Sequence, residues 1–153
     1  MTDSLIEVRD LTMAYGKKVI QHSLSFDINR EDIFVIMGGS GCGKSTLLKH
    51  LIGLYQPAKG SITIDGSDFF NTDDQQKVVM RKNWGVTYQS GGLFSAMTLA
   101  ENVALPLQQY TSLCEQEIRE LAIYKLALVG LAGFEDYYPA EISGGMQKRA
   151  GLA

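Results

Sequence analysis

Apolar residues near the start of the chain recur at every second position. Leu5-Ile6-Glu7-Val8-Arg9 alternates with the strand period, and residues 19–28 read as a second extended segment, with Tyr15-Gly16-Lys17-Lys18 as the turn between them. The polar turn Asn29-Arg30-Glu31-Asp32 leads into Ile33-Phe34-Val35-Ile36-Met37, an unbroken apolar run that predicts a buried strand. The period then lengthens. Over 44–52 a helix would carry Leu47, Leu48, Leu51 and Ile52 on one side and stop at Gly53, with Pro57 shortly beyond. Ser61-Ile62-Thr63-Ile64 alternates again and meets Asp65-Gly66, a hairpin-type turn signal. Residues 71–82 are polar and predict a loop with a short helix. Trp84-Gly85-Val86-Thr87-Tyr88 predicts a further core strand ending at Gln89.

After Gln89 the texture changes. Ser90-Gly91-Gly92 reads as a flexible joint, and from Thr98 the spacing is helical. Thr98 with Glu101 three residues on is a capping box, and Ser112 with Glu115 is another. A helix over 113–129 would bury Ile118, Leu121, Ala122, Leu126 and Val129 and end at Gly130. Near the end, Pro139-Ala140-Glu141-Ile142-Ser143-Gly144-Gly145-Met146-Gln147-Lys148-Arg149 reads as a loop entering a helix with Ser143 at its N-cap. Gly144 and Gly145 leave that helix end bare, which fits a plain cap and an anion site equally. The pattern therefore predicts an α/β chain in two parts: a strand-rich core over 1–89 and a helical subdomain over 90–153, with no internal repeat.

Composition narrows the class without naming a chemistry. The 153 residues, 45% hydrophobic and 20% charged, fit one ordinary globular domain. A net charge of −3 argues against a nucleic-acid partner. Lys17-Lys18 and Arg81-Lys82 read as solvated faces or phosphate neighbours. Cys42 and Cys114 have neither metal-ligand spacing nor a disulfide pattern, which fits a reducing cytoplasm, and Cys42 reads as a small tolerated side chain rather than a redox switch. No apolar run approaches the ~18–20 residues that span a bilayer. Asp3, Glu7, Arg9 and Asp10 stand where a signal peptide needs an apolar core, so a membrane role is expected to come through a partner.

The chemistry lies between the apolar run and the first helix. Gly38-Gly39-Ser40-Gly41-Cys42-Gly43-Lys44-Ser45 fits G-x-x-x-x-G-K-S/T, with a predicted strand before it and a helix from Thr46 onward after it. Glycines let successive backbone N–H groups turn inward around an anionic phosphate chain, and the helix dipole points its positive end at the same place. Lys44 would reach the β- and γ-phosphates, and the Ser45 hydroxyl would ligate Mg²⁺. The pattern arises by chance in roughly one chain in a few hundred of this length, so nucleotide binding is expected.

With this loop and the glycine-rich tail together, the chain resembles the ATP-binding subunits of ABC transporters over its whole length. The resemblance implies the P-loop NTPase fold of an ABC nucleotide-binding domain, with ATP and Mg²⁺ as cofactors. Gly38, Gly39, Ser40, Gly41, Cys42, Gly43, Lys44, Ser45 and Thr46 correspond to its phosphate loop. Ser143-Gly144-Gly145-Met146-Gln147 is similar to the family's signature L-S-G-G-Q, with Ile142 for Leu and Met inserted before Gln, and it would act on the ATP of a second, head-to-tail copy. Gln89 is placed like the glutamine that touches Mg²⁺ and the attacking water, so that Lys44 and Gln89 would be catalytic and Ser45 and Gln89 metal-binding. Tyr15 is placed like the aromatic that stacks on adenine. A membrane-spanning permease is the implied partner, on the inner face of the cytoplasmic membrane. Tyr88-Gln89-Ser90-Gly91-Gly92-Leu93-Phe94 and the stretch from Met97 to Leu107 look most like the Mla-type subunits of phospholipid transport, and Met146 supports that likeness.

One departure bears on activity. The Asp-Glu strand end, the D-loop and the switch histidine that follow the signature helix in the family do not occur in these 153 residues. Neither His22 nor His50 stands in the switch position, and both read as surface or packing residues. The resemblance implies a parent longer by ~100 residues, truncated here before the acidic strand, and weak nucleotide binding with essentially no hydrolysis by this piece. Another ABC transporter subunit, for lipoprotein release or amino-acid import, and a soluble non-transport ABC protein are the alternatives. An unrelated P-loop kinase would leave Gln89 and Ser143-Gly144-Gly145 unexplained.

Overall fold

Alternation at the N-terminus produces an antiparallel hairpin. A computed structural model describes residues 4–153, in two compact units that meet in sequence between Trp84 and Gly85. In the first, strand β1 (Ser4–Tyr15) pairs with β2 (Lys18–Asn29) through the two-residue turn Gly16-Lys17, with Gly16 at φ 58°. The other edge of β1 pairs antiparallel with β3 (Lys59–Ile64), which turns at Asp65-Gly66 into the short β4 (Ser67–Asp68). Both turn residues have positive φ, 50° and 76°, as a type I′ hairpin requires. The sheet order is β2-β1-β3-β4. Its inner face carries Val8, Leu11, Met13, Ile62 and Ile64, and these pack with Leu47 and Leu51 of helix α1 (Lys44–Leu51), with Phe69, and with Met80 of α2 (Asp74–Arg81).

Two expected strands do not form. Ile33–Met37 joins no ladder, and its residues alternate in exposure. Phe34 stacks on Phe26 at 5.2 Å and Ile36 packs on the core, while Ile33 is 95% and Met37 86% exposed, with Val35 exposed between them. A buried strand needs a hydrogen-bonded neighbour on each edge, and among the described residues no strand pairs with this run. The 84–88 run likewise makes no ladder; Trp84 packs on Phe69 at 5.7 Å and Tyr88 is exposed. The ladders that do form are all antiparallel.

α1 also turns differently from expectation. Leu47, His50 and Leu51 face inward and Leu48 outward, so His50, not Leu48, completes the buried stripe. The helix closes as expected at Gly53, φ 72°, with the Gly53 N–H donating to the His50 carbonyl and the Leu54 N–H to that of Lys49, the paired bonds of a Schellman motif.

The second unit is helical: α3 (Leu99–Tyr110), α4 (Glu115–Leu128), a 3₁₀ turn (Pro139–Glu141) and α5 (Gly144–Ala150). The Thr98–Glu101 capping box forms. The Ser112–Glu115 box does not. α4 begins two residues later, with the Glu117 carboxylate accepting from the Cys114 N–H at 2.8 Å. Ile118, Ala122 and Leu126 are buried, Leu121 and Val129 half-buried, and Gly130 at φ 71° ends the helix. Leu99, Ala100, Leu126, Leu131, Ile142 and Ala150 form this unit's main core.

Candidate functional site

The phosphate-loop residues form a tight coil ahead of α1. Gly41 and Gly43 have φ of 80° and 100°, values that suit glycine, and Gly43 is the N-cap of α1. At Gly38 a Cβ would stand 2.6 Å from Cys42 Sγ, so a side chain there would push the loop open. The Lys44 ammonium folds across this coil and donates to the carbonyls of Gly38 and Gly39, each at 2.7 Å, with Cys42 Sγ at 3.7 Å. Gln21 of β2 donates to the Cys42 carbonyl at 3.2 Å and ties the loop to the sheet.

The electrostatics favour an anion. The first amides of α1 have no carbonyl one turn back to receive them, and no acidic residue stands in the first turn. Ser45 is exposed, so its hydroxyl is free to reach a cation held by phosphate oxygens. No cluster of three or more His, Cys, Asp or Glu suited to a metal occurs among the described residues. A Mg²⁺ ion here would draw most of its oxygens from phosphate and water, as this ion commonly does.

Tyr15 ends β1 half-exposed, and its ring meets Tyr55 edge to face at 5.6 Å and 87°. Tyr55 follows the closing turn of α1 and also receives the Lys49 ammonium over its ring at 5.3 Å. Sequence reading did not single out Tyr55; its one signal was an aromatic two residues after a helix-ending glycine. His50 proves to be a packing residue, fully buried, with Nδ1 donating to the Thr46 carbonyl at 2.8 Å and Nε2 without a partner. A separate groove of about 350 Å³, lined by Gly53, Phe69, Phe70, Lys77 and Arg81, opens between the end of α1 and α2.

Gln89 and the tail motif belong to the second unit. Gln89 is exposed in a turn closed by the Gly91 N–H donating to Tyr88 at 2.9 Å. The glycines after it are less free than a flexible joint. At Gly91, φ 84°, a Cβ would stand 2.5 Å from the Gln147 carbonyl oxygen, and the Gly91 carbonyl itself leaves no room for a Cβ on Gly151. This loop therefore lies backbone to backbone on α5. Ser143 caps α5 through its hydroxyl, which accepts from the Met146 N–H at 3.3 Å, and Ser143, Gly144 and Gly145 are exposed. Met146 and Gln147 turn inward: Met146 packs on the core, and Gln147 Nε2 donates to the Pro139 carbonyl at 2.7 Å. Arg149 fastens α5 to the end of α4 through the Val129 and Gly130 carbonyls, at 2.7 and 2.9 Å.

Comparison with known proteins adds an independent finding. A family model described as ABC transporter matches residues 21–153. The chain is 47% identical over 148 residues to the probable ribonucleotide transport ATP-binding protein mkl of Mycobacterium leprae, covering 97% of this chain and 43% of that protein. It is 41% identical over 153 residues to the intermembrane phospholipid transport system ATP-binding protein MlaF of Haemophilus influenzae, covering 100% of this chain and 58% of that protein. Among solved structures, the dimeric post-hydrolysis ATP-binding cassette MJ0796 bound to ADP and Pi matches with a TM-score of 0.84 at 28% identity, over 96% of this chain and 67% of that one. The chain thus spans about half the length of the curated relatives it matches.

Proposed function

The chain belongs to the ABC transporter family, with the P-loop NTPase fold of its ATP-binding cassettes, and from that premise we propose that it is the nucleotide-gripping part of an ATPase subunit that powers phospholipid transport. The observation that carries the reading is the Lys44 ammonium held across a glycine coil that leads into the bare start of α1. Residues 38–46 hold the triphosphate, Ser45 ligates Mg²⁺, and Tyr15 meets the adenine. Gln89 contacts Mg²⁺ and the attacking water. Ser143, Gly144 and Gly145 close over the ATP of a second copy, so that ATP joins two subunits and hydrolysis parts them. The dimeric state of the cassette MJ0796 supports that arrangement. A permease supplies the membrane path, since no helix among the described residues is long and apolar enough to cross a bilayer, and the subunit works peripherally on the inner face of the cytoplasmic membrane.

Phospholipid as cargo rests on likeness to MlaF along the whole chain and on Met146 after Ser143-Gly144-Gly145. The name of the relative at 47% identity supports a second reading, ribonucleotide as cargo. Titration of the chain with Mg-ATP tests the core of the proposal. Lys44→Ala is expected to weaken binding at least tenfold, as loss of a charge-assisted hydrogen bond implies (about 1.5–3 kcal/mol); unchanged affinity would remove the phosphate loop from the case. Phosphate release by residues 1–153 alone is expected to be negligible, and turnover abolished by Lys44→Ala would overturn that expectation. Cargo is separable: a version spanning the full length of the relatives should restore lipid asymmetry to a bacterium lacking its own phospholipid-transport ATPase, and failure there with retained ATPase activity would favour the ribonucleotide reading.

A further inference from the structure

We propose that Tyr55 is a positioning residue that holds Tyr15 as a seat for the adenine base. The inference rests on the reading given above, in which the phosphate loop grips a triphosphate and Tyr15 meets the base. What it adds is a second aromatic and the means by which α1 serves both ends of the nucleotide.

Tyr15 lies beside a hairpin turn and is 46% exposed. Left alone, such a ring rotates freely and must be ordered by each ligand, which costs affinity. Tyr55 removes that freedom by meeting it edge to face at 5.6 Å and 87°. A perpendicular pair uses one edge and one face, so broad ring surface remains for a stacked base.

Tyr55 is itself held from three sides. Its N–H donates to the Lys49 carbonyl at 3.2 Å, within the closing turn of α1. The Lys49 ammonium sits 5.3 Å over its ring. The buried His50 imidazole packs on it at 6.1 Å and 70°, locked by its bond to Thr46. With all this, Tyr55 is still 40% exposed, so it is no ordinary core aromatic. The same helix that begins at the phosphate loop ends by setting the tyrosine pair. A merely structural Tyr55 would instead close the core beneath the hairpin turn and have no preference among ligands.

Calorimetric titration with Mg-ATP and with Mg-tripolyphosphate, which has the phosphates but no base, separates these roles. Tyr55→Ala is expected to weaken ATP binding about threefold to tenfold, the value of an aromatic pair, and to leave tripolyphosphate binding unchanged. That second ligand also reports whether the variant is folded. Tyr55→Phe keeps the ring and is expected to retain ATP affinity. Tyr15→Ala combined with Tyr55→Ala is expected to bind ATP no more weakly than Tyr15→Ala alone, because the second ring acts through the first. Equal loss for both ligands, unchanged ATP affinity in Tyr55→Ala, or additive losses in the double variant would each overturn the proposal. Binding of neither ligand by the unmodified chain, or binding untouched by Lys44→Ala, would overturn the phosphate-loop reading and the tyrosine seat with it. Normal tripolyphosphate binding with ATP affinity unaffected by Tyr15→Ala would overturn the seat alone.

Discussion

Lys44 is engaged by the carbonyls of Gly38 and Gly39, so a phosphate must compete with them for its ammonium. It does so as an anion against neutral acceptors, and full opposite charges attract the ammonium more strongly than a carbonyl dipole does. This part of the site was legible in advance because it is local: a glycine spacing, a lysine and a helix start lie within nine consecutive residues. The tyrosine pair was not legible. Tyr15 and Tyr55 stand forty positions apart and meet only because β3 returns beside β1, with the Ala58 N–H donating to the Thr12 carbonyl. The exchange of Leu48 for His50 on the buried face of α1 has a similar origin, since hydrophobicity favours leucine there while the bond from His50 to Thr46 lets an imidazole enter the core. Gly53 makes a sharper residue-scale prediction. A methyl there would meet a left-handed backbone and stand 2.0 Å from Phe69. Gly53→Ala is expected to destabilise the first unit by at least about 2 kcal/mol, read from urea unfolding; a loss within experimental error would contradict both the turn and the contact.

At the scale of elements, helix ends were more legible than strands. Gly53, Gly130, Thr98 and Ser143 mark their helices as expected, since caps depend on a few neighbouring residues. Thr98→Ala is expected to cost about 1 kcal/mol, measured by the same unfolding experiment. α4 shows how two adjacent frames compete. Ser112 and Glu115 offer one box, but Glu117 bonds the Cys114 N–H and the helix starts there. That bond holds the Glu117 carboxyl below its ordinary value of 4.5. Its contribution is therefore present above the ordinary glutamate range and lost as pH falls through the lowered folded-state value. Amide exchange in the first turn of α4 should quicken below about pH 4.5 relative to the rest of the helix, and Glu117→Gln should remove that added pH dependence. Ile33–Met37 illustrates the opposite limit: its composition predicts a buried strand, yet a strand exists only where another backbone pairs with it, and no local signal supplies one.

For the whole molecule, the outward stripe of Ile33, Val35 and Met37 is an uncharged, proline-free segment with an open backbone, the kind of edge that seeks another chain. The purified chain is expected to self-associate with rising concentration, and Val35→Lys to reduce this, as sedimentation would record. Equal association by both would place the sticky surface elsewhere. Within the helical unit, the fit of Gly91 against Gln147 and Gly151 has a different consequence. Main chain resting on main chain leaves no side chain to give way, so a displacement of the turn bearing Gln89 must drag the serine-capped end of α5 along with it, as a lever carries its far tip.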